Sequence, residues 1–214
     1  MAQQQLTSIF LLVNFFCIAP SASDGNSQEV TTEQYKYEDY AINEFMNTTN
    51  PIWVFNTTLP ASPLCRKDLT LEITENQTIF TRYHMENGTY VQRNMTGNFS
   101  KYNEDAAELY DKMTVFYGQT EVDEEILEYL SEDKKCAVVA VSNQTISSSS
   151  SSVGGALTFH DLRVEDTALN DINNTKYDEC RKRYNDILLL TKKNWTQPYT
   201  PECKSENNGV PMIS

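Results

Sequence analysis

The sequence predicts a mainly β domain: an antiparallel meander that closes into a barrel or sandwich, stapled by disulfides and flanked by helices. Short runs rich in β-branched and aromatic residues follow one another from Ile52 to Leu162, and several alternate with a period of two. Cys65, Cys136, Cys180 and Cys203 form an even set beyond the apolar N-terminus. Near the C-terminus the period changes to that of a helix.

The chain opens with an uncharged apolar stretch, Leu6 to Ala19, followed by the small residues Ser21, Ala22 and Ser23. This is the layout of a secretory signal peptide over residues 1–23. The stretch is shorter than the roughly 20 residues that span a bilayer, and Asn14 interrupts it. The expected mature chain, 24–214, has the length of a single compact domain. Cys17 leaves with the signal. The four remaining cysteines then suit two disulfides in an oxidising compartment, and their spacing leaves the pairing open. Zinc is a poorer use of them. No Cys-x-x-Cys occurs, and His84 and His160 lie far from the cysteines in sequence.

Thr31 to Met46 predicts a short helix, with Tyr37, Tyr40, Ala41, Glu44 and Phe45 at helical spacing. Tyr35, Tyr37 and Tyr40 sit among acids, a setting that in a secreted chain also suits sulfation. Strands are expected at Ile52–Thr58 and at Cys65–Thr74, where Leu69, Leu71 and Ile73 oppose Asp68, Thr70 and Glu72. Two more runs, Thr78–Met85 and Thr89–Met95, flank a Glu86-Asn87-Gly88 turn. Further runs are Phe99–Asn103, Lys112–Tyr117, Ile126–Leu130, Cys136–Ser142 and Ala156–Leu162. Residues 143–155, with six consecutive serines and Gly154-Gly155, read as a flexible connection. Thr175 to Thr191 predicts an amphipathic helix with Tyr177, Cys180, Tyr184, Ile187 and Leu188 on one face, and Thr175 with Asp178 resembles a capping box. Residues 204–214 form a tail.

Formal net charge is −13, which disfavours nucleic acid and anionic membranes as partners. N-x-[ST] triplets begin at Asn47, Asn56, Asn76, Asn87, Asn94, Asn98, Asn143, Asn173 and Asn194, the pattern of a glycan-coated secreted protein. Sequons also predict facing. A glycan on Asn56 must point outward, so strict alternation turns Trp53, Phe55 and Thr57 inward. The same reasoning at Asn94 turns Val91, Arg93 and Met95 inward. A buried Arg93 would then require an unoccupied Asn94, a bulge, or a pocket carboxylate as partner.

No G-x-S-x-G, P-loop or H-E-x-x-H occurs. Ser151 to Ala156 lacks the Lys a phosphate loop needs, and His160-Asp161 is a weak candidate for a Ser-based triad. The chain is therefore expected not to be an enzyme and to need no cofactor or metal. A small-molecule binder using the barrel interior and a protein-binding module using the surface remain.

Taken together, several segments resemble the tick salivary lipocalins that include the histamine-binding proteins. They are the N-terminal helix, Ile52-Trp53-Val54-Phe55, CRKDLTL from Cys65, MTVF from Met113, SEDKKC from Ser131, YDECRKRY from Tyr177 and PYTPEC from Pro198. The resemblance implies an eight-stranded antiparallel barrel with a C-terminal helix outside it. It also implies Cys65–Cys203 and Cys136–Cys180 bridges and a secreted protein that sequesters a host mediator. That mediator would be an amine such as histamine or serotonin, or a leukotriene, fatty acid or sterol. Some members of the family instead act by contact with complement or immune cells. Amine binders of the family typically carry Cys-Asp-[Val/Ile/Leu] and Glu-Leu-[Trp/Tyr]. Here the matching positions are Cys136-Ala137-Val138 and Ala156-Leu157-Thr158, so both carboxylates are replaced by alanine. Asp161 or Glu165 would substitute if the alignment slips. The loss favours an apolar ligand, with Trp53, Phe55, Tyr83 and Met113 as candidate wall residues and ordinary core packing as the alternative for each.

Overall fold

The computed structural model describes residues 38–144 and 157–205. The expected signal segment, Tyr35 and Tyr37, the serine run, Ala156 and most of the tail lie outside the described residues. Eight antiparallel strands form a closed barrel in sequence order. They are β1 (Ile52–Thr57), β2 (Leu64–Ile73), β3 (Gln77–Glu86), β4 (Thr89–Ser100), β5 (Lys112–Tyr117), β6 (Thr120–Leu130), β7 (Cys136–Asn143) and β8 (Leu157–Glu165). Pairing of β8 with β1 closes the ring. A short helix α1 (Ile42–Met46) precedes the barrel and α2 (Asp178–Thr191) follows it.

Nine expected runs became eight strands because β4 continues through Gly97. A Cβ there would lie 2.4 Å from Met113 Sδ. The glycine marks a close packing contact, not the end of a strand. β6 is longer than its apolar segment, since Thr120 to Glu125 also pair. The C-terminal helix begins at Asp178 after a 3-10 turn at Thr175–Tyr177, and no side-chain cap forms at its start. The capping box expected at Thr175 is therefore absent.

The lower end of the barrel carries α1 and the β2–β3 turn; the upper rim carries the β3–β4 and β5–β6 turns. Ile42, Phe45 and Met46 of α1 join Ile52, Phe80, Met95, Phe99, Met113 and Leu127 in one buried cluster that fills the lower lumen. Thr70 Oγ1 donates to the Met46 carbonyl at 2.8 Å and ties α1 to β2. A second cluster lies on the outer face beneath α2. It joins Trp53, Val138, Leu162, Val164, Ile172, Tyr177, Tyr184 and Tyr199 with all four half-cystines. Cys65 pairs with Cys203 and Cys136 with Cys180.

Candidate functional site

Strand parity assigns each side chain to the lumen or the outer face, and the lumen holds an unexpected set. On β2, Asp68 is buried whereas Leu71 is 59% exposed. Of the two faces of this strand, the acidic one carrying Asp68 and Thr70 turns inward. On the neighbouring strand, its register partner Arg82 of β3 forms a two-pronged pair with Asp68: Nε to Oδ1 and Nη2 to Oδ2, both 2.8 Å. Arg82 also donates to Asp123 and Glu125 of β6, each at 2.8 Å. Arg163 of β8 donates to the other oxygen of Glu125 at 2.6 Å and, at 3.2 Å, to Asp161 of its own strand. Arg66 of β2 reaches Asp161 at 3.3 and 3.4 Å. Thr57 of β1 donates to Asp161 at 2.6 Å, and Asn143 of β7 donates to Asp123 at 2.7 Å.

These contacts form an ionic belt that draws on six of the eight strands. Four carboxylates (Asp68, Asp123, Asp161, Glu125) face three guanidinium groups (Arg66, Arg82, Arg163). Burying such charges is unfavourable unless each is paired and hydrogen-bonded, so the belt stands or falls as a network. Its two β6 acids behave oppositely. Burial pushes the Glu125 carboxyl up, but Arg163 and Arg82 outweigh it and hold the group down to about 2. Burial also raises Asp123, and Arg82 offsets this only in part, so its carboxyl stays above the ordinary value.

Of the four candidate wall residues, only Met113 faces inward, and it is packed into the lower core. Trp53 and Phe55 face outward, reversing the expected direction. The register slips at Phe55, between Val54 paired with Arg163 and Asn56 paired with Leu162. A bulge adds one residue, so parity counted back from Asn56 fails. Asn56 is outward and half-buried, and Thr57 is inward as alternation requires. Tyr83 is also outward. There Lys67 Nζ lies 4.7 Å from the Trp53 ring, 5.3 Å from Tyr83 and 4.8 Å from Tyr90.

The other singled-out residues separate in the same way. His160 and Asp161 are neighbours on β8, so they point to opposite faces and cannot join in one triad; His160 faces outward, 3.7 Å from Glu128. Glu165 pairs with Lys135 at 3.5 Å near the lower end. Ala137 faces the lumen opposite Arg163. Arg93 shares the inner parity of Met95 but lies exposed near the rim, over the Tyr117 ring at 5.7 Å. It is solvated, so it needs neither a bulge nor a carboxylate, and Asn94 stays outward. Tyr40 is half-buried, and its hydroxyl donates to Glu38 at 3.0 Å. Asn47, Asn76, Asn87, Asn94, Asn98, Asn173 and Asn194 are exposed. Asn143 differs: the amide nitrogen that would carry a glycan donates into the lumen.

The belt was missed because Asp68 sits on the polar face of an alternating run, while Asp123 and Glu125 fall between the expected runs Lys112–Tyr117 and Ile126–Leu130. A signal was present: Arg82 lies at the same parity as Phe80, and Asp123 and Glu125 at that of Leu127.

No protein-family model and no curated protein matches the chain. Solved structures do. The AM182–serotonin complex aligns with 78% of this chain and 95% of its own, at 17% identity and a TM-score of 0.54. The siderocalin Ex-FABP covers 76% of this chain and 97% of its own, at 7% identity and a TM-score of 0.48. Japanin from Rhipicephalus appendiculatus, bound to cholesterol, covers 73% and 96%, at 11% identity and a TM-score of 0.42. At 17% identity the AM182 likeness is one of fold: an eight-stranded antiparallel barrel of the lipocalin type.

Proposed function

We propose that this chain is a secreted lipocalin that sequesters a small organic cation, of the size of histamine or serotonin, between the ionic belt and the upper rim. The belt is the observation that carries this reading. It crosses the lumen, with Arg82 of β3 bonded to Glu125 of β6 at 2.8 Å. A long acyl chain or sterol cannot lie along a barrel axis occupied by bonded side chains, which argues against the apolar ligand that the alanines at 137 and 156 favoured. The acids lost at those positions have counterparts elsewhere in the lumen, in Asp123 and Asp161. With one carboxylate more than guanidinium, the belt favours a cation over a neutral or anionic guest. AM182, of the same fold, forms a complex with serotonin, which supports an amine of that size here.

Secretion is supported by the signal-like N-terminus, two disulfides and nine sequons, seven of them exposed. Among the described residues no helix is long and apolar enough to cross a membrane. A role in blunting host defence would follow from removal of an inflammatory amine.

The test is calorimetric titration of the secreted protein, after enzymatic deglycosylation, with histamine, serotonin, leukotriene and cholesterol. Saturable amine binding that weakens in Asp123→Asn is the expected result. Tight cholesterol or leukotriene binding with no amine uptake would sink the reading. Capture of a complement or immune-cell protein in place of any small ligand would favour the contact-acting modulator.

A further inference from the structure

The belt is not uniformly tight. The hydrogen bonds that Arg82 and Arg163 make to Asp68, Asp123 and Glu125 run from 2.6 to 2.8 Å, the range of strong charge-assisted bonds. The guanidinium bonds to Asp161 are longer: 3.3 and 3.4 Å from Arg66, and 3.2 and 3.4 Å from Arg163, which is anchored separately by its 2.6 Å bond to Glu125. Arg82 has three carboxylate partners, whereas the ion pair and both hydrogen bonds of Arg66 go to Asp161. The backbone holds Arg66 loosely too. It lies in the register slip of β2 between Leu64 and Lys67, so no ladder partner fixes its direction, and it is close to the upper rim where β2 begins.

The surroundings of that guanidinium have the chemistry of a binding seat. Asp161 supplies the charge, and the Phe159 ring lies 5.7 Å from the guanidinium carbon. A carboxylate beside an aromatic face is a recognition pair for an organic cation. The seat also survives without Arg66, because Thr57 at 2.6 Å and Arg163 at 3.2 Å still hold Asp161 in place.

We propose that Arg66 is a displaceable internal cation: it fills the seat on Asp161 and Phe159 that the cationic group of the ligand takes, and swings to the rim when the ligand enters. The inference rests on the amine-binding reading and adds a control to it. A seat already filled lowers apparent affinity by the fraction of time it is filled. Ligands unable to engage both Asp161 and Phe159 do not displace the side chain and are rejected.

The experiment compares the native secreted chain with Arg66→Gln and Arg66→Ala, both made with disulfides intact. Each is titrated with histamine and serotonin, and melted with increasing methylguanidinium, a mimic of the missing group. Arg66→Gln is expected to bind the amines about tenfold more tightly than native protein. Methylguanidinium is expected to raise the Tm of Arg66→Ala while leaving the native Tm unchanged. Amine affinity that is unchanged or lower in Arg66→Gln, together with no methylguanidinium effect on Arg66→Ala, would overturn the displaceable cation even if native protein binds amines. Methylguanidinium rescue of Arg66→Ala with no amine binding by any form would leave the seat standing and overturn the amine reading instead. Should Arg66→Ala fail to fold, the milder Arg66→Gln decides alone: amine binding no tighter than native, with no methylguanidinium shift, rejects the inference.

Discussion

Above its apolar lower core the lumen of this barrel is held by charges, whereas the flank beneath α2 is held by aromatic rings and disulfides. The usual distribution puts apolar side chains inside and polar ones outside. Here Arg82, Arg163, Asp161 and Glu125 occupy the interior, while Trp53, Tyr184 and the half-cystines pack on the outer face. The two regions also respond differently to change. The outer cluster is a packed apolar layer in which each side chain contributes through the area it removes from water. The belt is a network in which removal of one charge strands its partners, so its members act together.

The largest break should come from Glu125→Ala. It leaves Arg82 and Arg163 buried without their shared acid, and a loss of about 4 kcal/mol in denaturant unfolding is expected. A loss under about 1 kcal/mol would mean that the belt is a loose collection of pairs. Trp53→Ala should cost about 3 kcal/mol through the cavity left beneath the C-terminal segment. Because Trp53 faces away from the lumen, its amine affinity should equal that of native protein; a parallel loss of binding would show that the two regions are not separate.

Acid should act on the belt in a defined order. The Glu125 carboxyl is held at about 2 in the folded protein against 4.5 for the free group. Its stabilisation is present above 4.5 and is lost as pH falls towards 2, so the native unfolding midpoint should drop across that window. The Glu125→Gln protein should lack this arm of the profile. Asp123 has the opposite sign: its carboxyl is raised, so the folded state holds that proton more tightly, and its contribution weakens as pH rises through the raised value. The smallest effect is therefore expected for Asp123→Asn at pH 7, with stability unchanged or higher within about 1 kcal/mol. A much larger loss there would show that Arg82 depends on Asp123 as strongly as on Glu125.

Much of the architecture was legible because it depends on local pattern. Runs rich in β-branched and aromatic residues, several of them alternating, located part or all of each strand, Asn87-Gly88 located a hairpin turn, and the spacing of Tyr177, Cys180 and Tyr184 located the face of α2. The candidate site was far less legible. A single extra residue at Phe55 reversed the facing of Trp53 and Phe55, and the sequence carries no mark of a bulge beyond the failed count. Asp68 read as the polar side of an alternating strand and Asp123 and Glu125 lay outside the expected runs, because the partner they share, Arg82, lies 14 to 43 residues away.

The sequence by itself determined the strand and helix periods, the even set of four cysteines beyond the apolar N-terminus, and the absence of an acid at Ala137 and Ala156. Those are properties of short stretches and of composition. Tertiary structure alone decided which face of each strand became the lumen, and so whether an acid is a solvated surface group or part of a buried ionic belt. Alternation specifies two faces but not which one closes inward. That choice is made by cross-barrel partners, and their energy exists only once the ring has closed.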